Sequence, residues 1–246
     1  MGKKGQVTIF IILGILIVVS GIIYFSFRET ITEKMRGFSG ATAVKEYIDT
    51  CFWDSTNGIV YSVGRGGGYV FGPEFSNETG YNYHYIGNQN YFPNLEKIEE
   101  EISLYTTITL LSCVNNFESF SEFEINRGKV EITTEIKEKY VEVNLNYPIS
   151  IRKGNNVVHY EDFEKVIVPV RLGEMHSVVK NLIEENYYGE TGVCINCITD
   201  LAYEHDFVFE QIYSNGKNLF VLSDFENEET EKPYQFIFLN GGPNEK

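Results

Sequence analysis

Twenty-one consecutive residues near the start of the chain, Val7 to Phe27, carry no charged side chain. As a helix rising about 1.5 Å per residue the run is about 31 Å long, close to the thickness of a bilayer's hydrocarbon core. A cleaved secretory signal has a shorter apolar core and small residues at its cut site, whereas this run ends in Tyr24, Phe25, Ser26, Phe27 and Arg28. It is therefore expected to stay attached as a transmembrane or assembly helix, with Val7, Ile9, Phe10, Gly14, Gly21 and Phe27 along the anchor. Gly14, Ser20 and Gly21 would let such helices approach closely in a bundle, and also suit a lone span. Lys3, Lys4 and the amino terminus argue for a cytoplasmic start.

Beyond the anchor, residues 28–246 hold 18 basic against 35 acidic side chains, a net charge of −17. Such a domain is repelled by nucleic acid and by anionic lipid headgroups, so no nucleic-acid partner is expected. Cys51, Cys113, Cys194 and Cys197 are even in number and lie on one side of the anchor, as in a disulfide-forming exterior compartment. Asn77-Glu78-Thr79 is a possible glycosylation acceptor at Asn77. The expected organisation is an anchor over 1–27, a charged juxtamembrane helix and hinge over 28–40, and an extracytoplasmic domain over 41–246. The protein would be a single-pass membrane protein with its carboxy-terminal domain outside the cell.

A helix is expected from Ala41 to about Ser62, because Val44, Tyr47, Ile48, Cys51 and Phe52 recur on one face. Gly64-Arg65-Gly66-Gly67-Gly68 should end it in a turn. These glycines lack both the strand before and helix after of a dinucleotide site and the Gly-Lys-Ser/Thr of a phosphate loop. The following stretch, Tyr69 to Phe92, holds eight aromatics. Tyr81, Tyr83 and Tyr85 alternate on a short strand, and with Tyr69 and Tyr91 they form a possible contact surface for glycan or protein, or else cover the core. Asn94 should cap a third helix whose inner stripe is Leu95, Ile98, Ile102, Tyr105, Ile108 and Leu111. The acidic cluster Glu96, Glu99, Glu100 and Glu101 would be solvated and would suit the positive end of the helix.

From Lys129 the apolar period changes to two, over Val130 to Ile136, Tyr140 to Tyr147 and Asn156 to Arg171. Arg152-Lys153-Gly154-Asn155 signals a hairpin, and Pro148 and Pro169 should sit at strand ends, edges or bulges. Helices at Glu174–Asn186 and Cys194–Glu204 then precede strands at Asp206–Tyr213, Asn218–Asp224 and Tyr234–Asn240. The expected class is α+β, a mostly antiparallel sheet with packed helices.

His84, His159, His176 and His205 are scattered, with no His-Glu-x-x-His pair and no nucleophile elbow, and each is expected at the surface or half buried. Cys194-Ile195-Asn196-Cys197 is the one motif with chemical reach, as a structural disulfide, a thiolate pair for zinc, or a redox pair with Cys194 at a helix start. Zinc would need two further ligands, and a thioredoxin-like role would need a preceding strand in a βαβ unit. Cys51 with Cys113 would join the second helix to the end of the third. Neither a cofactor, a resident metal nor a catalytic residue is expected.

Lys3-Lys4-Gly5 followed by Gln6 and an unbroken apolar helix resembles the class III signal of archaeal type IV pilins and archaella subunits. The resemblance implies a peptidase cut between Gly5 and Gln6, and identical or related pilin-like subunits as partners in a filament whose heads face outward. Phe10 stands where many pilins carry a glutamate, and the helix-rich pattern differs from the all-β heads of many archaeal pilins. The chain also resembles a group of archaeal membrane proteins sharing a Gln-Val-Thr-Ile-Phe-Ile-Ile-Leu-Gly start, a Gly-Gly-Tyr after the second helix and a late Cys-x-x-Cys. That wider resemblance implies no activity. The expected function is a non-enzymatic, pilin-like surface subunit. The alternatives are a stationary membrane-tethered adhesin, receptor or envelope component, or an extracytoplasmic thiol oxidoreductase.

Overall fold

The computed structural model describes residues 40–71, 81–86, 89–185, 188–189, 192–214, 217–226 and 232–240. Gly5, Gln6, the anchor Val7–Phe27, most of the juxtamembrane segment and Asn77 lie outside these residues. Among the described residues no helix is long and apolar enough to cross a membrane.

The first element is helix α1, residues 40–65. Val44, Ile48, Cys51, Phe52, Ile59, Val60 and Val63 are buried along it, following the spacing of three and four that turns one face inward. Strands β1 (Tyr83–Ile86) and β2 (Gln89–Asn90) follow, then helix α2 (Leu95–Val114). Asn94 caps α2 as its composition suggests, accepting a hydrogen bond from the Lys97 N–H at 2.8 Å.

The buried stripe of α2 differs from the expected one. Ile98, Ile102, Thr106, Leu110 and Val114 point inward, while Ile108 and Leu111 are exposed. Choosing the most apolar residue on each turn misplaces the stripe, because the interior takes Thr106 and leaves Leu104, Ile108 and Leu111 outside. The acidic residues also do more than face solvent. A Glu99 carboxylate oxygen accepts from the Ile136 N–H at 2.8 Å, and Glu101 accepts from the Val70 N–H at 3.4 Å.

A 3₁₀ segment (Asn115–Phe120) leads to β3 (Glu124–Arg127), β4 (Glu131–Ile136), β5 (Val141–Lys153), β6 (Asn156–Asp162) and β7 (Val166–Val168). Strand β5 is central, with β3 and β4 along one edge and β6 and β7 along the other, all antiparallel. Its inward residues Val141, Val143, Leu145, Tyr147, Ile149 and Ile151 are buried in strict alternation. Pro148 has no N–H to give. It falls inside β5, where the register with β6 shifts, and its carbonyl accepts from Gly128 at 2.6 Å.

Helix α3 (Leu172–Glu184), a two-residue hairpin β8 (Tyr188–Gly189) and β9 (Gly192–Val193), and helix α4 (Ile195–Glu204) come next. Strands β10 (Val208–Ser214), β11 (Lys217–Asp224) and β12 (Tyr234–Asn240) then form a sheet of order β10-β11-β12-β1-β2. The hairpin lies between the two helices, where the sequence marks no strand. The pair β1–β12 is parallel and joins an early strand to the last, which no local pattern announced. The class is thus α+β with mainly antiparallel sheets.

Helix α1 is the spine. Near its start Gly40 lies on the Phe123 ring and Lys45 over Phe163, beside the β5 sheet. Near its end the Tyr234 hydroxyl of β12 donates to the Val60 carbonyl at 3.1 Å. Helix α2 lies antiparallel to α1. The Cys51–Cys113 disulfide and the bond from the Tyr47 hydroxyl to the Cys113 carbonyl pin one end, and Gly68 sits against Ile98 at the other. One connected hydrophobic core runs through both sheets and all four helices.

The Cys51–Cys113 bridge closes 62 residues of chain. Replacing both cysteines by alanine should lower the unfolding free energy by about 4 kcal/mol by loop entropy, measured by urea unfolding. Removing Cys194–Cys197, only three residues apart, should cost much less.

Candidate functional site

Three places carry chemistry among the described residues. The first is the glycine turn with the aromatic stretch that follows it. Helix α1 ends when the Gly66 N–H donates to the Ser62 carbonyl and the Gly68 N–H to that of Val63. Gly67 and Gly68 have φ of +60° and +98°, a conformation side chains resist. A Cβ on Gly67 would lie 2.8 Å from the His84 ring, so only glycine admits the histidine here.

Strand β1 uses the carbonyls this turn exposes. Asn82 Nδ2 donates to the Gly66 carbonyl and His84 Nε2 to that of Gly67, both at 2.6 Å. His84, expected at the surface or half buried, is fully buried instead. Its ring stacks on Phe238, with centroids 4.8 Å apart, and meets Phe92 edge-on at 5.0 Å. Phe92 in turn stacks on His176 at 4.5 Å, and His176 Nε2 donates to the Pro93 carbonyl. His176 is likewise buried, contrary to expectation. The sequence signal for this was the alternation Asn82, His84, in register with the inward side of a strand behind a glycine-rich turn.

Desolvation holds the His84 imidazole far below its usual value, at about 3, and lowers His176 as well. Neither ring is positioned for proton transfer at neutral pH, since each Nε2 is committed to a carbonyl and the His84 Nδ1 faces no partner. The tyrosines of the stretch divide. Tyr69, Tyr81 and Tyr91 are half buried, and the Tyr69 hydroxyl donates to the Tyr91 carbonyl at 3.1 Å. Tyr83 and Tyr85 are in β1, and their side chains lie outside the described set. Tyr69 and Tyr91 thus brace the stretch.

The second place is Cys194–Cys197, a disulfide at the start of α4 with Cα atoms 5.3 Å apart. Cys194 is the N-cap, and its sulfur accepts from the Cys197 N–H at 3.4 Å. His205, eight residues on, binds Glu174 rather than the cysteines. Among the described residues no group of histidine, cysteine and carboxylate side chains is arranged to hold a metal ion.

The third place was not foreseen. The Arg171 guanidinium grips Asp224 through two bonds, Nε to Oδ2 at 2.9 Å and Nη2 to Oδ1 at 2.7 Å. It also donates to the carbonyls of His205 and Asp206 and lies 4.2 Å over the Phe207 ring. Glu174 and Glu226 complete the ring of acids at 3.7 and 3.5 Å, and the His205 Nδ1 lies 2.9 Å from Glu174. Asp224 holds the guanidinium above its ordinary value, so the charge is permanent. Every nitrogen of the fork is engaged within the chain. The cluster therefore clamps the start of α3 and the turn before β10 onto the end of β11, with four of the five N–H donors bonded inside the chain.

Two measurements check these assignments. Unfolded His84 titrates near pH 6.5, but the folded residue only near 3, so the unfolded chain takes the proton first and stability falls as pH drops below about 6.5. Between pH 7 and pH 5 this one site should remove about 2 kcal/mol, and His84→Phe should shrink the difference between the two urea-unfolding curves by that amount. Asp224→Ala should cost about 3 kcal/mol in the same assay, because it leaves a mostly buried guanidinium without its nearest anion.

Comparison with protein-family models, curated proteins and solved structures finds no match to this chain.

Proposed function

We propose that this chain is a non-enzymatic, single-pass cell-surface protein, held in the membrane by Val7–Phe27, that serves as a pilin-like subunit of a type IV-like filament. The observation that carries the reading is the junction of a charge-free 21-residue run with Lys3-Lys4-Gly5-Gln6 in front of it and a twice disulfide-bridged domain behind it. Disulfides suit an oxidising exterior, and that supports an amino terminus on the cytoplasmic side. The spine role of α1 is consistent with this work. Any force passed through residues 28–39 enters the helix that touches both sheets and is bridged to α2.

The stationary alternative, a tethered adhesin, receptor or envelope component, is favoured by one residue. Phe10 stands where many pilins place the glutamate of their assembly helix. The thiol-oxidoreductase reading rests on Cys194 at the head of α4.

The deciding measurement is the amino-terminal mass of the protein isolated from its native membrane. The pilin-like reading expects a chain that starts at Gln6, and expects Gly5→Val to abolish that cut. A chain that keeps Lys3, Lys4 and Gly5 leaves the stationary anchor. Thiol exchange by the wild type that is lost in Cys194→Ser would move the assignment to the oxidoreductase.

A further inference from the structure

We propose that the outer face of α2 is a homotypic seam through which two anchored copies of this chain pair, their α2 helices parallel and Leu104, Ile108 and Leu111 in the contact. The three side chains are 53%, 51% and 42% exposed, although they are among the most apolar residues of the helix. Their spacing is four then three, which puts all of them on one stripe, opposite the buried stripe of Ile102, Thr106 and Leu110. In heptad terms Leu104 and Leu111 occupy d and Ile108 occupies a. Among parallel helices, a β-branched residue at a with leucine at d is the combination that favours two strands.

Charge favours this face. The chain carries a net charge of −15, which opposes self-association over most of its surface. From Ile102 to Phe117 there is no Asp, Glu, Lys or Arg, so Tyr105, Thr107 and Ser112 beside the seam add no repulsion, and the next charges along the stripe, Lys97 and Glu100, pair with each other at 3.5 Å. Phe71 packs against Tyr105 with ring centroids 4.9 Å apart and is itself exposed, extending the apolar surface to one side.

Size and direction complete the argument, and both rest on the anchored reading above. Three side chains fall well short of the roughly 800 Å² per partner of a stable free interface, so the pair needs help. Confinement to one membrane supplies it by raising the effective concentration. Because α1 and α2 are antiparallel, the carboxy-terminal end of α2 lies at the end of α1 that leads to the anchor. With α2 upright on the membrane, two copies in one bilayer related by an axis normal to it present their α2 helices in the same direction.

The test uses the full-length chain with Leu104→Cys or Leu111→Cys. The native cysteines are bridged, so each variant adds one free thiol. After mild oxidation in the expressing cells each variant should form a self-linked dimer at least about tenfold above an Asp54→Cys control on exposed α1. Adding Ile108→Glu, a surface change whose folding is verified by thermal unfolding, should return the yield to control. Absence of self-linking at both positions overturns the seam, as does linking that survives Ile108→Glu. Linking only in mixtures of the two variants overturns the parallel arrangement. Carbonate extraction of the same cells reports the anchor separately. Recovery of the chain in the soluble fraction overturns the anchored reading and this proposal with it, whereas a membrane-held chain that does not self-link overturns the seam alone.

Discussion

The α1–α2 pair is held at both ends, and the rest of the molecule is arranged around that constraint. At one end the Cys51–Cys113 disulfide bridges the two helices. At the other the glycine turn closes α1, bringing Gly68 against Ile98 of α2 and Gly67 against His84 of β1. Once the turn's carbonyls are offered inward they must find donors, because an unsatisfied buried carbonyl is costly. Asn82 and His84 supply them, and in doing so bring β1 beside β12 in the one parallel strand pairing among the described residues.

That arrangement explains an interior more polar than the composition suggests. His84 meets Phe92 edge-on and His176 stacks on it, each histidine neutral and each tied to one carbonyl. Neutral imidazole is tolerable there because it is flat and stacks like its aromatic neighbours, whereas the charged form would lose its hydration without gaining a partner. The Arg171 clamp meets the opposite problem with a charge that cannot be neutralised. It gathers Asp224, Glu174, Glu226 and two carbonyls around one guanidinium, so three carboxylates of a strongly acidic chain find their counter-ion in one place.

Legibility from sequence varied from element to element for physical reasons. The Asn94 cap, the hairpin at Gly154 and the alternation of β5 were plain, since each depends on residues a few positions apart. The inner stripe of α2 was partly misread. Hydrophobicity pointed to Ile108 and Leu111, but the helix rotates Thr106 and Leu110 inward to meet its neighbours, which include β4 at the bond between Ser103 and Thr134. The burial of His84 was missed because the alternation of Tyr81, Tyr83 and Tyr85 with Asn82 and His84 separates two faces of a strand without saying which one is inside. Arg171 and Asp224 are 53 residues apart, too far for any spacing rule to pair them.

By itself the sequence determined what its local periods and single residues can dictate. These are the α+β order of helices and strands, the strongly negative net charge, and the helix ends written by Asn94 and the glycines. The tertiary structure alone decided which strands share a sheet, which polar groups go inside and which face of α2 is left uncovered. Those outcomes depend on contacts between residues far apart in the chain. Each such contact is settled by what else must be buried and hydrogen-bonded at the same time, and no window of neighbouring residues contains that information.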